Sequence, residues 1–402
     1  MSQSPELREV AASLRELPVP SPDEAAHSAV LAQLIRAAID AAGGAIGFDR
    51  FMELALYAPG LGYYSAGARK FGAAGDFVTA PELSPLFSRC VARHCAGLLT
   101  QMEGDALLEF GAGSGTMAAE ILLELERLQA LPARYDILEL SADLRARQRE
   151  TLQARAPHLA PRVHWLDALP EEFSGVVLGN EVLDAMPVHR FRLTDGAVQE
   201  LGVTWRDEAF AWTALDACTP RLATRVQEIA AAAELPPGYE SEVNLAAEDW
   251  LRSVAGFLRR GVVLLFDYGF PRHEYYHPQR DGGTVMCHYR HRAHADPLIL
   301  PGLQDITAHV DFSAMAAAAA AAEAGLDVLG FANQANYLLG AGLLELTQQG
   351  SGDVREQLAV AAQLKRLMMP GEMGEVFKVL ALGREVADAG AGFALRDERY
   401  RL

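Results

Sequence analysis

Ala106-Leu-Leu-Glu-Phe-Gly-Ala-Gly-Ser-Gly-Thr116 sets the architecture of this 402-residue chain. Ala106 to Phe110 is a short apolar run with the length of a buried strand. Gly111, Gly113 and Gly115 follow at once, and from Met117 to Leu131 the apolar side chains Ile121, Leu122, Leu125 and Leu128 repeat at helical spacing. Strand, glycine turn and helix in that order are one half of a β-α-β unit. Downstream, Tyr135 to Leu140 reads as a strand, Leu144 to Ala156 as a helix and Val163 to Trp165 as a strand. Gly175 to Gly179 is apolar without alternation, as a strand buried on both faces must be. This order predicts an α/β fold with a parallel sheet covered by helices on both faces.

Further out, helices are expected at Trp250 to Leu258 and Ser313 to Ala324, and strands at Gly261 to Phe266, Leu326 to Phe331 and Glu375 to Gly383. Upstream, Ser21-Pro22-Asp23-Glu24 is a capping box with proline at the first helical position. Val30, Leu31, Leu34, Ile35 and Ala38 continue it as an amphipathic helix that Gly43-Gly44 ends, and Leu83 to Leu99 is a second helix. Between Arg190 and Leu215 the period falls to two, with turns at Thr194-Asp195-Gly196 and Arg206-Asp207-Glu208, so an antiparallel hairpin or meander is inserted there. Arg272 to Asp311 is a long polar segment.

Composition narrows the partners. The formal net charge of −18 repels a phosphate backbone, which disfavours nucleic acid. The four cysteines, Cys90, Cys95, Cys218 and Cys287, are too few for a disulfide framework, and a reduced, cytoplasmic setting is expected. Cys90 and Cys95 read as core residues. The longest apolar run, Ala314 to Ala322, is too short for a bilayer, which needs about 20 residues, so no membrane insertion is expected. The first twenty residues lack the apolar core of a secretory signal.

The glycine loop lets the backbone approach a ligand at the carboxyl end of a strand and the start of a helix. Its register, Glu109-x-Gly111-x-Gly113-x-Gly115, places Thr116 where a nicotinamide site would want glycine. It resembles instead the first motif of S-adenosylmethionine methyltransferases. Glu139 ends the second strand, where a carboxylate could accept both ribose hydroxyls, and Asp167 follows the third, within reach of an adenine amino group. Leu140 and Ala168 adjoin these acids and are assigned to the cofactor with them. Each acid alone could be a helix cap; their order along the chain favours the cofactor.

Two longer stretches, Gly75-Asp-Phe-Val-Thr-Ala-Pro-Glu82 and Gly179-Asn-Glu-Val-Leu-Asp-Ala-Met-Pro-Val-His-Arg-Phe191, resemble signatures of the MidA-like methyltransferases. These are bacterial relatives of a mitochondrial complex I assembly factor. Gly283-Thr284, His291-Arg292, Asp296-Pro297, Asp305-Ile-Thr-Ala-His-Val-Asp-Phe312 and Met373-Gly-Glu-Val-Phe-Lys-Val-Leu380 are similar too, so the resemblance covers roughly residues 27 to 385. Ala80 departs from the serine common in the first signature. The resemblance implies a class I, Rossmann-like methyltransferase fold with S-adenosylmethionine as cofactor and S-adenosylhomocysteine as product. It also implies symmetric dimethylation of an arginine on a protein such as a respiratory-chain subunit. The expected layout is an N-terminal helical region and signature loop at 1–100 and a core at 101–185, 250–270 and 313–385. Inserted α+β substrate regions fill 186–249 and 271–312, and 386–402 is a tail.

A guanidinium is a poor nucleophile, since its pKa exceeds about 12. Carboxylates that grip it aim one nitrogen and stabilise the charge on the rest. Glu181 and Asp184, just past the fourth strand, are the catalytic candidates, with Asp76 and Glu82 from the first signature. Asn180 is placed at the cofactor or the substrate, and Pro187 favours a short turn after it over a long helix. The acids could instead cap a turn. His273, His277, His288, His291 and His294 beside Cys287 suggest zinc, but the interleaved Arg290 and Arg292 oppose a cation. The segment is read as a polar substrate loop whose Tyr275, Tyr276 and Tyr289 meet a partner, and no metal ligands are assigned. A small-molecule methyltransferase and a non-catalytic assembly factor that binds the cofactor remain alternatives. A homodimer is compatible, such assemblies being common.

Overall fold

A computed structural model describes residues 17–66, 79–102, 105–348 and 353–402. The chain forms two compact units. One comprises Val78–Leu183, Glu248–Arg272 and Val310–Leu402; the other comprises Met1–Phe77, Asp184–Ala247 and His273–His309.

The first unit is built on an eight-stranded sheet. Its strands are β1 (Ala106–Phe110), β2 (Arg134–Leu138), β3 (Val163–Leu166), β4 (Phe173–Asn180), β5 (Leu258–Phe270), β6 (Val310–Asp311), β7 (Asp327–Asn333) and β8 (Phe377–Arg384). They lie in the order β7-β8-β5-β4-β1-β2-β3, with β6 beside β5. β3 to β5 all pair in parallel, and β8 runs antiparallel to both β5 and β7. The order reverses at β1 and β4: β2 and β3 extend the sheet one way from β1, and β4, β5, β8 and β7 the other. That is a topological switch point, where open α/β sheets bind ligands beyond the strands' carboxyl ends.

Burial explains the pattern. Leu107, Val176, Leu178, Val262 and Leu264 share one core with Cys95, Leu98, Ile121, Leu122 and Leu125 of the helices Pro85–Met102 and Thr116–Arg127. The opposite side of β1 meets helix Leu245–Phe257, where the Phe110 and Trp250 rings pack edge to face at 5.1 Å. Residues expected at the edges belong to this unit as well. Helix Pro85–Met102, which the sequence grouped with the N-terminal region, packs on the sheet. The expected tail folds back on β7: the Phe331 amide donates to Asp397 and the Glu398 amide to the Phe331 carbonyl.

The second unit opens with helix Pro22–Ala41, whose Ser21–Glu24 capping box forms in full. Its buried face is Ser28, Leu31, Ile35 and Ile39, whereas Val30 and Leu34, expected to be inside, are exposed. The period of the stripe is right and its centre is rotated. The meander is present as His189–Thr194, Ala197–Arg206 and Ala209–Ala214, turning at the two places the sequence marked. Ile46–Gly47 and Glu240–Val243 complete an antiparallel sheet of five strands. Helix Phe48–Tyr57 packs on it through Phe48 against Trp212 and Phe51 against Phe210.

The segment expected to be a polar loop is a folded element. It contains a three-stranded sheet, Arg292–His294, Met286–Tyr289 and Asp305–Thr307. Tyr275, Tyr276 and Tyr289, assigned to a partner, are buried. The Tyr275 hydroxyl donates to Glu242 Oε1 (2.8 Å) and that of Tyr276 to the Glu242 carbonyl (3.0 Å). Amphipathic tyrosines bury well once each hydroxyl has an acceptor. Among the described residues, no helix is long and apolar enough to cross a membrane.

Candidate active site

The glycine loop leaves β1 and enters helix Thr116–Arg127. Gly111, Gly113 and Gly115 all take positive φ (61°, 53° and 81°), a region costly for any residue with a Cβ. At Gly115 space is also short, since a Cβ would lie 2.9 Å from the Gln148 backbone. Gly111 is tied to the neighbouring strand by its amide, which donates to the Leu138 carbonyl at 3.1 Å.

Gln148 organises what surrounds the loop. It is fully buried on helix Ala142–Arg155. Its Nε2 donates to the Gly113 carbonyl and to Glu139 Oε2, both at 3.1 Å, and its Oε1 accepts from Trp165 Nε1 at 2.8 Å. One amide thus joins the loop after β1, the acid after β2 and the end of β3. The sequence offered one signal for it. Leu144, Gln148 and Leu152 recur every four residues, so a polar side chain stands on the apolar stripe of an otherwise polar helix.

Glu139 is 7 % exposed, and the Ser141 amide donates to its Oε1 at 2.9 Å. Burial pushes its carboxyl pKa up, against the hydrogen bonds from Ser141 and Gln148. Ser141 and Gln148 each hold one of its oxygens, and the Leu140 backbone assists them, so the carboxylate is fixed as an acceptor for paired donors such as a ribose diol. Glu109 is 2 % exposed and accepts from the Tyr135 hydroxyl at 2.6 Å. Burial raises its pKa to about 7, opposed by the Tyr135 bond and assisted by the charge of Glu139.

Other predicted residues sit differently. The Asp167 side chain is 92 % exposed and pairs with Arg145 at 2.6 Å. Arg145 also donates to the Glu139 and Leu166 carbonyls, pinning the ends of β2 and β3 together. Leu140 is 83 % exposed, an apolar side chain standing in the open beside Glu139, and Ala168 is exposed too. Glu82 accepts from the Ser114 hydroxyl, so the first signature ends on the glycine loop. Asp76 lies outside the described residues.

β4 ends in the expected short turn. Asn180 Nδ2 donates to Glu181 Oε1 at 3.2 Å, while Asn180 Oδ1 is buried without a partner among the described residues. Glu181 has φ of 52°, an unusual conformation for a residue with a side chain. It is held there because its amide donates to the Phe266 carbonyl at 2.8 Å and the Leu183 amide donates to Asp267 Oδ2 at 3.0 Å. Asp267, fully buried on β5, was not legible as part of this turn. Asp184 begins the second segment of the other unit; it is 4 % exposed, and its carbonyl accepts from the Ala308 amide at 2.9 Å.

A strand–glycine loop–helix with a buried acid just past the next strand fits a nucleoside cofactor. The family comparison names it: residues 90–332 match the model of a family of S-adenosyl-L-methionine-dependent methyltransferases. The chain belongs to that family. It is a methyltransferase with S-adenosylmethionine as cofactor, and the α/β reading of the sequence holds. A crystal structure from Burkholderia thailandensis, bound to S-adenosyl-homocysteine, is 48% identical with TM-score 0.92, covering 96% of this chain and 100% of that one. The mitochondrial protein arginine methyltransferase NDUFAF7 homolog of Drosophila melanogaster is 29% identical over 397 residues, 89% of this methyltransferase and 86% of the relative. Human mitochondrial protein arginine methyltransferase NDUFAF7 is 27% identical over 377 residues, 84% and 80% of the two chains.

Proposed function

We propose that this methyltransferase modifies a protein arginine, with symmetric dimethylation as the outcome and a respiratory-chain subunit as the kind of target. The observation that carries this reading is similarity, over 80% or more of both chains, to proteins named protein arginine methyltransferases. The carboxylates past β4 support it, because a guanidinium is bound best by acids.

In this reading Gly111, Gly113 and Gly115 admit the cofactor to the backbone of the loop, with Glu109 beneath it. Glu139 takes the ribose hydroxyls, Leu140 and Ala168 flank the adenine, Asp167 meets its amino group, and Asn180 Oδ1 accepts from the cofactor's amino-acid end. The bound cofactor supplies an electrophilic methyl group. Glu181 and Asp184 orient the guanidinium and stabilise its charge, assisted by Glu82 and Asp76. The positive φ of Glu181 supports such a role, since backbone strain collects where a side chain must be aimed.

Labelled S-adenosylmethionine incubated with cell lysate is expected to mark a protein band, and its hydrolysate to contain symmetric dimethylarginine. Label confined to small molecules would replace this reading. Asp184→Asn and Glu181→Gln are expected to bind S-adenosylhomocysteine almost as the wild type does and to slow single-turnover transfer by about 100-fold or more. Full transfer activity in both would reduce these acids to turn caps, a role that asparagine fills as well as aspartate.

A further inference from the structure

We propose that Asp49, His189 and Glu200 form a binding site for one divalent cation of the zinc class. The three lie within the second unit and play no part in the proposed transfer chemistry. His189 begins the first strand of the meander, and Glu200 lies on the second. Phe191 pairs with Glu200 in the ladder, so His189, two residues earlier, is its diagonal neighbour on the same face. Asp49 stands in the first turn of helix Phe48–Tyr57.

One ligand atom from each residue falls within 4.8 Å of the others. His189 Nδ1 is 2.8 Å from Glu200 Oε1 and 3.7 Å from Asp49 Oδ1. Zinc bonds to nitrogen and oxygen imply ligand–ligand edges of about 3.3–3.6 Å in a tetrahedron. The first edge opens by about half an ångström to admit the ion, and the second already fits.

Two further observations separate this group from a simple ion pair. Gly47 pairs with Gly202 at the sheet's end, and a Cβ on Gly47 would run into Asp49 Oδ1 and lie 3.7 Å from Glu200 Oε1. Glycine therefore keeps clear the space these two oxygens border. Glu200 is also fixed from behind: the Thr219 amide donates to its Oε2 at 2.6 Å, the kind of outer-shell bond that orients a metal-ligating carboxylate. His189 and Asp49 are partly exposed, which leaves water access to a fourth position. Arg221 lies near His189 and opposes a cation, and two carboxylates outweigh its single charge.

The test uses the tag-free full chain, stripped with chelator and titrated calorimetrically with zinc chloride. Cobalt(II) absorption serves as a second readout. The expected result is one zinc per chain, with affinity reduced at least about 10-fold in Asp49→Asn and further in His189→Gln. S-adenosylhomocysteine affinity should stay unchanged in both variants. A double variant, His273→Ala with His291→Ala, controls for exposed histidines and should bind as the wild type does. Absence of saturable zinc binding in the folded wild type would overturn the proposal. So would wild-type affinity in Asp49→Asn, or loss confined to the double variant. Asp49→Asn decides the matter even if His189→Gln fails to fold.

Discussion

The ends of β2 and β3 each carry an acid that the sequence placed on the same footing, and the structure treats them in opposite ways. Glu139 is buried, with both oxygens held by the Ser141 amide and Gln148. Asp167 stands in solvent on an ion pair with Arg145. Position after a strand is therefore a weak guide to how firmly an acid is built in. The discriminating feature is the partner that orders it, and for Glu139 that partner is a glutamine on a helix.

The largest effect is expected at Gln148. Gln148→Leu removes the partner of Glu139 Oε2, the Gly113 carbonyl and the Trp165 indole together. An unsatisfied buried group costs about 1–3 kcal/mol, and less where water reaches it, as at half-buried Gly113 and Trp165, so a loss of about 2–4 kcal/mol in denaturant-derived stability is expected. S-adenosylhomocysteine affinity should fall with it; an unchanged midpoint would show that the hub is incidental. Next comes Glu139→Ala, expected to weaken S-adenosylhomocysteine by about 1–3 kcal/mol in calorimetry. A 2′-deoxy analogue should lose less affinity in that variant than in the wild type, and equal losses would remove Glu139 from the ribose.

Glu109 sharpens the buried side of the comparison through pH. Its folded pKa of about 7 lies above the ordinary 4.5, so between these values the native chain holds a proton the unfolded chain has released. Stability from this carboxyl therefore falls as pH rises through that window. Glu109→Gln should flatten that fall and leave the variant more stable than the wild type at about pH 8, but not at about pH 5. Parallel curves for the two proteins would place the proton elsewhere. The smallest effect is expected for Asp167→Ala: below about 1 kcal/mol in stability, as for exposed ion pairs generally. Its cofactor affinity should change less than that of Glu139→Ala, and a larger loss would reverse the ranking of the two acids.

Legibility followed the same division. β1 to β5 and the glycine loop could be read because buried parallel strands and left-handed glycines leave direct marks on composition. The meander was legible through its turns. Arg145 and Asp267 were not, because each acts through a neighbour distant in sequence and looks locally like an ordinary polar residue; Gln148 showed only as a polar residue on an apolar stripe, which does not reveal its partners. Arg272 to Asp311 was misread for a related reason. Tyr275, Tyr276 and Thr284 are buried with hydrogen bonds to Glu242, and composition cannot distinguish such a satisfied polar interior from a solvated loop.

β8 has a consequence for synthesis. Formed by residues 377–384, it sits inside the sheet between β5 and β7. A ribosome making this chain must therefore extrude over a hundred residues after β5 before that strand receives its antiparallel neighbour. For that interval a thirteen-residue strand with the apolar run Val262 to Phe266 offers an unpaired edge, the template on which nascent chains aggregate. Chains halted at residue 376 should accumulate as insoluble or chaperone-bound material, while chains released past residue 384 should not; equal solubility of the two would show that the edge is shielded by other means.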